Sequence, residues 1–391
     1  PGNIPMTTAA DARTTPLHSF HAEHGAKFVE FAGWTMPMTY AWPIGGGGVH
    51  DEHRQTRTSG GFFDVSHMGR IYLSGVGARR LCEKLVSRRV SDMTQGQCRY
   101  ALMCNDRGGI IDDVLVYRLD DDQFMIVCNA SNRAKVVPHM QKVAAEHELK
   151  VKIDDRTETT AMVAIQGPRV MEIVSKVSRE IPTLKRYRFV EKNLMIMKLL
   201  VSRTGYTGED GVEVILPAKA VGMAMKMLLK DAGSADAIIK PCGLGARDTL
   251  RMEAGMPLYG HELGEDTNAL GTSLGFAINL DKHEDERCEK FIGQDALLDT
   301  QASGGPRQTL VGLFVEGKRT ARQHMKLLKG GTEVGEITSG CMSPTLERPI
   351  AMAYVNKELA EPGTKLDIDL GRDKTTGAEV TPLPFYKAPK K

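Results

Sequence analysis

Residues 104–117 read CNDRGGIIDDVLVY: two adjacent carboxylates inside an apolar, β-branched run that follows a turn signal of Asn105, Asp106, Gly108 and Gly109. A turn followed by such a run is the signature of a hairpin entering a buried strand. The runs CRYALM before it and QFMIVCN after it are joined to it by the tight turns CNDRGG and DDD. Three consecutive strands linked this way make an antiparallel meander, so this part of the chain folds as a sheet. Ionised carboxylates away from water are costly unless something pairs with them or uses them. Successive side chains of a strand point to opposite faces. Asp112 and Asp113 are therefore expected to serve different sites, with at most one of them lining a given cavity. Alternation leaves open which one does so, and one acid capping the turn while the other reaches solvent satisfies it equally well.

At 391 residues the chain exceeds one small core, and two or three domains are expected. Thr15-Pro16 starts a helix with Leu17, Phe20 and His24 on one face and Gly25 as its stop. The aromatic segment FVEFAGWTMPMTY is broken by Gly33 and Pro37, and IGGGG (44–48) is expected to be a flexible loop. A helix over 78–89 carries Leu81, Leu85 and Val86 on its apolar side. Another near 132–147 is expected to kink or restart at Pro138. A second strand–helix unit begins at TAMVAIQGP, and LMIMKLLVSRT and VEVILP form a hairpin about GYTGEDG. From Gln308 the chain becomes short β segments punctuated by Gly and Pro (LVGLFVEG, EVGEITSG, AMAYV, KLDIDL, AEVTPLPF), the pattern of a small C-terminal β-barrel or sandwich. PGNIP (1–5) is expected to be a cloning scar, 6–300 two interleaved α+β domains and 301–391 the barrel domain.

Charge narrows the function classes. Lys plus Arg number 51 against 49 for Asp plus Glu, a net of +2, so nothing global argues for nucleic acid or an anionic membrane. No apolar run approaches the roughly 20 residues needed to span a bilayer. The seven cysteines are scattered without a C-x-x-C pair, which fits free thiols rather than a disulfide frame or zinc site. HAEH (21–24) and HDEH (50–53) are not H-E-x-x-H. They read as surface histidines, the first on an amphipathic helix and the second in a Gly-rich loop, and no metal is expected. IGGGG lacks the Lys-Ser/Thr of a phosphate loop. GLGAR (243–247) has two glycines of a dinucleotide fingerprint and no clear strand before it, so its glycines are read as permitting close backbone approach. SRTGYTGEDGVEV places Tyr206 and the acids Glu209, Asp210 and Glu213 between two apolar strands. A buried carboxylate at Glu213 can accept two hydrogen bonds from an N–H/NH₂ edge such as a pterin ring offers.

The strings FAGW-x-MP, FDVSHM, NDRGGIIDDVLVY, VAIQGP, SRTGYTGEDGVE, PCGLGARDTLRMEAGMPLYG, ITSGCMSPTLERPIAMAYV and the terminal PFY occur in order from about residue 15 to 386. In this they resemble the glycine cleavage system T proteins, the tetrahydrofolate-dependent aminomethyltransferases. The resemblance implies an α+β fold: a three-domain cloverleaf around a central folate channel, with a C-terminal β-barrel domain. It implies that Asp113 is the catalytic aspartate near folate N10. It implies that Glu213 and Arg247 bind folate, with Tyr206, Val127 and Asn129 around the pterin and Tyr100 and Met68 lining the cavity. Arg322 aligns with a basic position facing the channel, to meet the folate tail or the lipoyl arm. IGGGGVHDEH and the tail after PFY depart from the family pattern, and Tyr386 or Lys387 stands where some relatives add a folate contact.

The implied reaction moves the methylene carbon of an aminomethyl group, carried on the lipoate of the H protein, to tetrahydrofolate, with release of ammonia and the dihydrolipoyl carrier. The implied partner is that carrier, with no nucleic acid and no membrane. The basic pairs Arg79-Arg80, Arg88-Arg89 and Lys185-Arg186 are candidates to meet an acidic carrier. The implied compartment is the mitochondrial matrix for a eukaryotic source and the cytoplasm for a bacterial one. The rivals are a folate-binding non-transferase of this fold, such as the iron–sulfur assembly relatives whose K-G-C-Y-x-G-Q-E motif is absent here, and a folate-dependent demethylase.

Overall fold

The computed structural model describes residues 12–42, 46–194, 197–229, 234, 236–372 and 374–389. The chain divides into two compact units, each assembled from separated stretches. One comprises Pro1–Arg70, Asp155–Gly205 and Glu209–Asp248; the other comprises Ile71–Asp154, Tyr206–Gly208 and Thr249–Lys391.

The first unit is built on a six-stranded sheet in the order Phe189–Leu194, Met197–Ser202, Gly211–Pro217, Thr160–Gln166, Gly61–Asp64, Lys240–Pro241. Its apolar positions (Phe62, Val163, Ile165, Val201, Val212) pack under the helices Val170–Val177 and Ala218–Leu228 through Val170, Val174, Val221 and Met225. Glu213 stands opposite Ala164, which faces Phe63 on its other side, so the acid lies in a central row of the sheet. A smaller sheet of Arg13–Thr14, Trp34–Tyr40 and Ala26–Phe31 accompanies it. Of the IGGGG loop, Ile44 and Gly45 lie outside the described residues, whereas Gly48 already opens the helix Gly48–Thr58. HDEH is thus helical rather than part of a Gly-rich loop. The close approach expected at GLGAR is present: a Cβ on Gly243 would stand 2.3 Å from the Met38 carbonyl oxygen.

The second unit holds the meander. Gln97–Cys104, Ile110–Asp120 and Gln123–Cys128 run antiparallel as neighbours in a five-stranded sheet completed by Gly69–Ser74 and Lys152–Asp155. The helices Ala78–Leu85 and Arg133–Glu146 cover one face and bury Leu81, Leu85, Val136, Met140 and Val143 against Val114, Val116 and Ile126. The turn before the acids depends on Gly109, where a Cβ would stand 1.8 Å from the Glu265 carbonyl oxygen.

Two helix expectations are corrected. The helix Arg133–Glu146 runs through Pro138 without restarting. The ring is exposed, and the buried face of Val136, Met140 and Val143 offsets the roughly 3 kcal/mol that an interior proline costs. The helix from Ala78 stops at Leu85, because Val86 is extended (φ −118°, ψ 145°).

The C-terminal strands Gln308–Val315, Arg348–Asn356, Thr332–Ser343, Lys326–Lys329, Lys365–Asp369 and Thr375–Thr381 close into a six-stranded barrel around Leu313, Leu327, Ile337, Ala351, Ala353 and Ile368. A buried ion pair ties it to the rest of its unit. Arg251 meets Glu262 at 2.9 Å and donates to Ser339 of the barrel, while Thr338 donates to Glu262.

Candidate active site

In the second unit the sheet register pairs Asp113 with Leu102 and Asp112 with Met103, then shifts so that Cys104 meets Ile110. On the other side Leu115 pairs with Val127, and continuing that register brings Asn129 opposite Asp113. The ladder ends there. The Asn129 backbone N–H, which would otherwise extend it, donates to Asp112 Oδ2 at 3.0 Å. The Asn129 side-chain amide then reaches both acids, Asp112 Oδ1 at 2.8 Å and Asp113 Oδ1 at 2.7 Å. Asn132 Nδ2 donates to Asp112 Oδ1 at 2.6 Å, and the Tyr100 hydroxyl donates to Asp113 Oδ2 at 3.0 Å. Strand alternation alone assigned the two acids to separate sites. Here they are joined through one amide, because Asn129 lies past the last ladder pair and is free of the strand's alternation.

Asp112 is fully buried and Asp113 half-buried. Burial pushes both carboxyl groups above the usual carboxylate range; the charge of Asp113 adds to the shift at Asp112, while the asparagine and tyrosine donors pull back. Val127 is buried beside them. The Tyr100 ring stacks on Phe276, with centroids 6.0 Å apart. Nearby in the same unit Lys135 donates to the Tyr259 hydroxyl and to Glu265 Oε1, each at 2.7 Å, and burial together with the charge of Glu265 and Asp112 raises the Tyr259 hydroxyl. The Tyr206 hydroxyl donates to the Pro257 carbonyl at 2.5 Å. Arg322 is exposed in the segment before Lys326–Lys329, where its backbone N–H donates to Met325 Sδ.

In the first unit Glu213 is buried and accepts from the Thr204 hydroxyl at 2.5 Å. Burial raises its carboxyl group, and the Thr204 hydrogen bond and the Arg247 charge oppose the rise. The same guanidinium acts on His67, which burial and the Arg247 and Arg70 charges bring down to about 4 against the pull of Asp64. His67 is therefore neutral at physiological pH. Met68 follows it, half-buried in the turn closed by its N–H on the Val65 carbonyl.

The structure thus brings Tyr100, Asp113 and Asn129 into direct contact, and Glu213 and Arg247 within electrostatic reach of each other. Asp112 and Asn132 also belong to the acid cluster and were missed as site residues. Two asparagines three residues apart in CNASN, next to a strand end, were the available signal.

The histidine reading is corrected in part. His21 and His53 are buried, not at the surface. His21 Nε2 lies 2.8 Å from Asp64 Oδ2 and its Nδ1 2.8 Å from the Tyr40 hydroxyl, while Thr15 donates to the same Asp64 oxygen. His21 is thus a structural hub, and no cluster of three or more His, Cys, Asp or Glu able to hold a metal exists among the described residues.

Residues 17–282 match the GCVT N-terminal domain, and residues 308–387 match the glycine cleavage T-protein C-terminal barrel domain. The chain belongs to the glycine cleavage T-protein family. An aminomethyltransferase of Rubrobacter xylanophilus is 43% identical over 377 residues, spanning 96% of this chain and 94% of that protein. One from Cutibacterium acnes is 40% identical over 391 residues, spanning 98% and 100%. Among solved structures, the glycine cleavage system aminomethyltransferase T from Bartonella henselae matches with a TM-score of 0.87 at 32% identity, over 96% of this chain and 98% of that one. Both the mixed α+β fold and the closed barrel are those of this T-protein family.

Proposed function

We propose that this protein is an aminomethyltransferase of the glycine cleavage system, which moves the methylene carbon of an aminomethyl group from the lipoyl arm of a carrier protein to tetrahydrofolate and releases ammonia. The observation that carries the residue assignment is the half-buried Asp113, held by Tyr100 on one oxygen and Asn129 on the other. A fixed carboxylate of this kind stabilises positive charge that develops as the carbon–sulfur bond breaks, and takes a proton from the attacking nitrogen. Burial raises its proton affinity above that of an ordinary carboxylate, which helps it take that proton.

Tetrahydrofolate, when bound, supplies the nucleophilic nitrogens. The donor and acceptor chemistry of the chain fits it. Glu213 is a buried acceptor suited to the N–H-rich edge of a pterin and Arg247 is a cation within its field, while Tyr206, Val127, Asn129, Tyr100 and Met68 stay folate contacts on the family resemblance alone. Positioning alone contributes several kcal/mol in reactions of two bound partners, about 7 in favourable cases. Arg322 stays in the assignment as an exposed cation for the folate tail or lipoyl arm.

The carrier is assigned as the lipoyl-bearing H protein. Each of the candidate basic pairs is partly engaged within the chain, Arg80 with Glu289, Arg89 with Asp281 at 2.8 Å and Arg186 through its charge on Asp210, and all three stay candidates for docking. The division into a folate-binding region over 6–300 and a barrel domain over 301–391 belongs to the same reading. The relatives named above are bacterial, which supports the cytoplasmic alternative over the mitochondrial matrix. No helix among the described residues is long and apolar enough to cross a membrane. Purified protein incubated with aminomethylated carrier and tetrahydrofolate should release ammonia only when both are present. Release that ignores tetrahydrofolate, or none with both, would refute the proposal.

A further inference from the structure

We infer that Asp112 is a positioning residue, which fixes the side-chain amide of Asn129 and, through that amide, the carboxylate of Asp113. The inference rests on the reading of Asp113 as the catalytic carboxylate.

Asp112 contributes no exposed surface, and its two oxygens take three donors: the Asn129 backbone N–H, the Asn129 amide and the Asn132 amide. An ionised carboxylate only accepts hydrogen bonds, so the NH₂ end of Asn129 has one way to face two acids at once. The amide is planar, and its Oδ1 is thereby turned away from the pair as an acceptor. The same nitrogen lies 3.2 Å from the Asp113 carbonyl, which further favours this orientation. A neutral amide at position 112 could donate as well as accept, so Asn129 could then turn over and keep its hydrogen bond to residue 112, with only Asp113 opposing the turn. Asp112 removes that freedom while it is ionised.

The second consequence is electrostatic. Two carboxylates bridged by one amide disfavour each other's ionisation. The groups facing the pair are Tyr100 from the strand Gln97–Cys104, Asn129 after the strand Gln123–Cys128, Asn132 before the helix Arg133–Glu146, and Tyr259, which feels the Asp112 charge. The nearest lysine of that cluster, Lys135, is held by Tyr259 and Glu265. Asp112 thus raises the proton affinity of Asp113 while Asn129 lowers it, and the two substitutions have opposite signs.

The test is the acid limb of turnover against pH, with an infrared pH titration of the protonated carboxyl band that needs no turnover. In Asp112→Asn a neighbouring negative charge is gone, so Asp113 ionises more readily. The limb and the band should move to lower pH by about one unit. In Asn129→Ala both acids lose a donor that favours their charged form, and limb and band should move to higher pH. If Asp112→Asn does not fold, Asn129→Ala and the infrared titration decide. An Asp112→Asn that loses turnover with limb and band in place, or an Asn129→Ala that leaves them in place or moves them down, overturns the inference. Failure of the underlying reading looks different: Asp113→Asn would then keep its turnover, whatever the other two do.

Discussion

Replacing Asp113 by asparagine removes one charge and little else. The Asn oxygen can still accept from Asn129, now at 2.7 Å, and the Asn NH₂ can donate to the Tyr100 oxygen at 3.0 Å once the hydroxyl hydrogen turns away. Size and hydrogen bonding survive, so folding and tetrahydrofolate affinity should change little, within about threefold. The charge is a different matter. A carboxylate about 4 Å from a full positive charge is worth about 4 kcal/mol at an effective dielectric near 20. The half-buried position and a partial charge at the transition state reduce this to about 2–3 kcal/mol, or roughly 10²-fold in kcat. Ammonia release at saturating tetrahydrofolate and carrier gives kcat, and calorimetric titration gives the folate Kd. A loss of roughly 10²-fold with Kd retained is the mark of an interaction made in the transition state. Turnover within about threefold of wild type, or a loss wholly accounted for by weaker folate binding, would refute the argument.

Three further outcomes follow from particular contacts. Glu213→Ala should weaken tetrahydrofolate binding by about 1–3 kcal/mol, because pterin donors would be left without their acceptor; unchanged affinity by calorimetry removes Glu213 from the site. Lys282→Met should destabilise by about 3–5 kcal/mol, since it strands Glu83, whose buried carboxylate meets the Lys282 ammonium at 2.7 Å. Adding Glu83→Gln should recover much of the loss in denaturant unfolding, and a purely additive double variant would count against the pair. Burial alone would raise the Asp64 carboxyl group, but His21, Ser66 and Thr15 bring it down to about 2, against an ordinary 3.8. Its charge therefore contributes about 2.5 kcal/mol of stability above the unfolded value, lost as pH falls through about 2. The Tm gap between wild type and Asp64→Asn should narrow over that acidic window; a gap that ignores pH would assign the effect to packing.

How far the fold was legible depended on how local its cause is. The meander could be read because its turns carry their own chemistry: Asn105, Gly108 and Gly109 dictate a reversal whatever surrounds them. The barrel could be read as a β domain, but the strand Lys326–Lys329 was missed, as four residues with two apolar neighbours carry no period. Pro138 does not restart its helix: the rule that interior proline breaks a helix says nothing of the apolar face that holds the helix together. His21 was misplaced at the surface since its partner Asp64 lies 43 residues away. At the acid pair, alternation described the backbone correctly but could not foresee an amide beyond the end of the ladder reaching back to both side chains.

The terminal strands of the six-stranded sheet have a consequence for the protein at high concentration. An open sheet normally offers its last strand as a template on which another chain can add. Here one flank ends in Lys240–Pro241, two residues long, one of them unable to donate a hydrogen bond. The other flank, Phe189–Leu194, sets Glu191 and Lys192 side by side, with Lys192 tied to Glu180 and Glu191 to Lys198. Neither border invites a newcomer, and the barrel, closed on itself, has no border at all. Strand addition is thus opposed at both rims of this sheet, and a replacement of Pro241 by a β-branched residue is the change most apt to awaken it there.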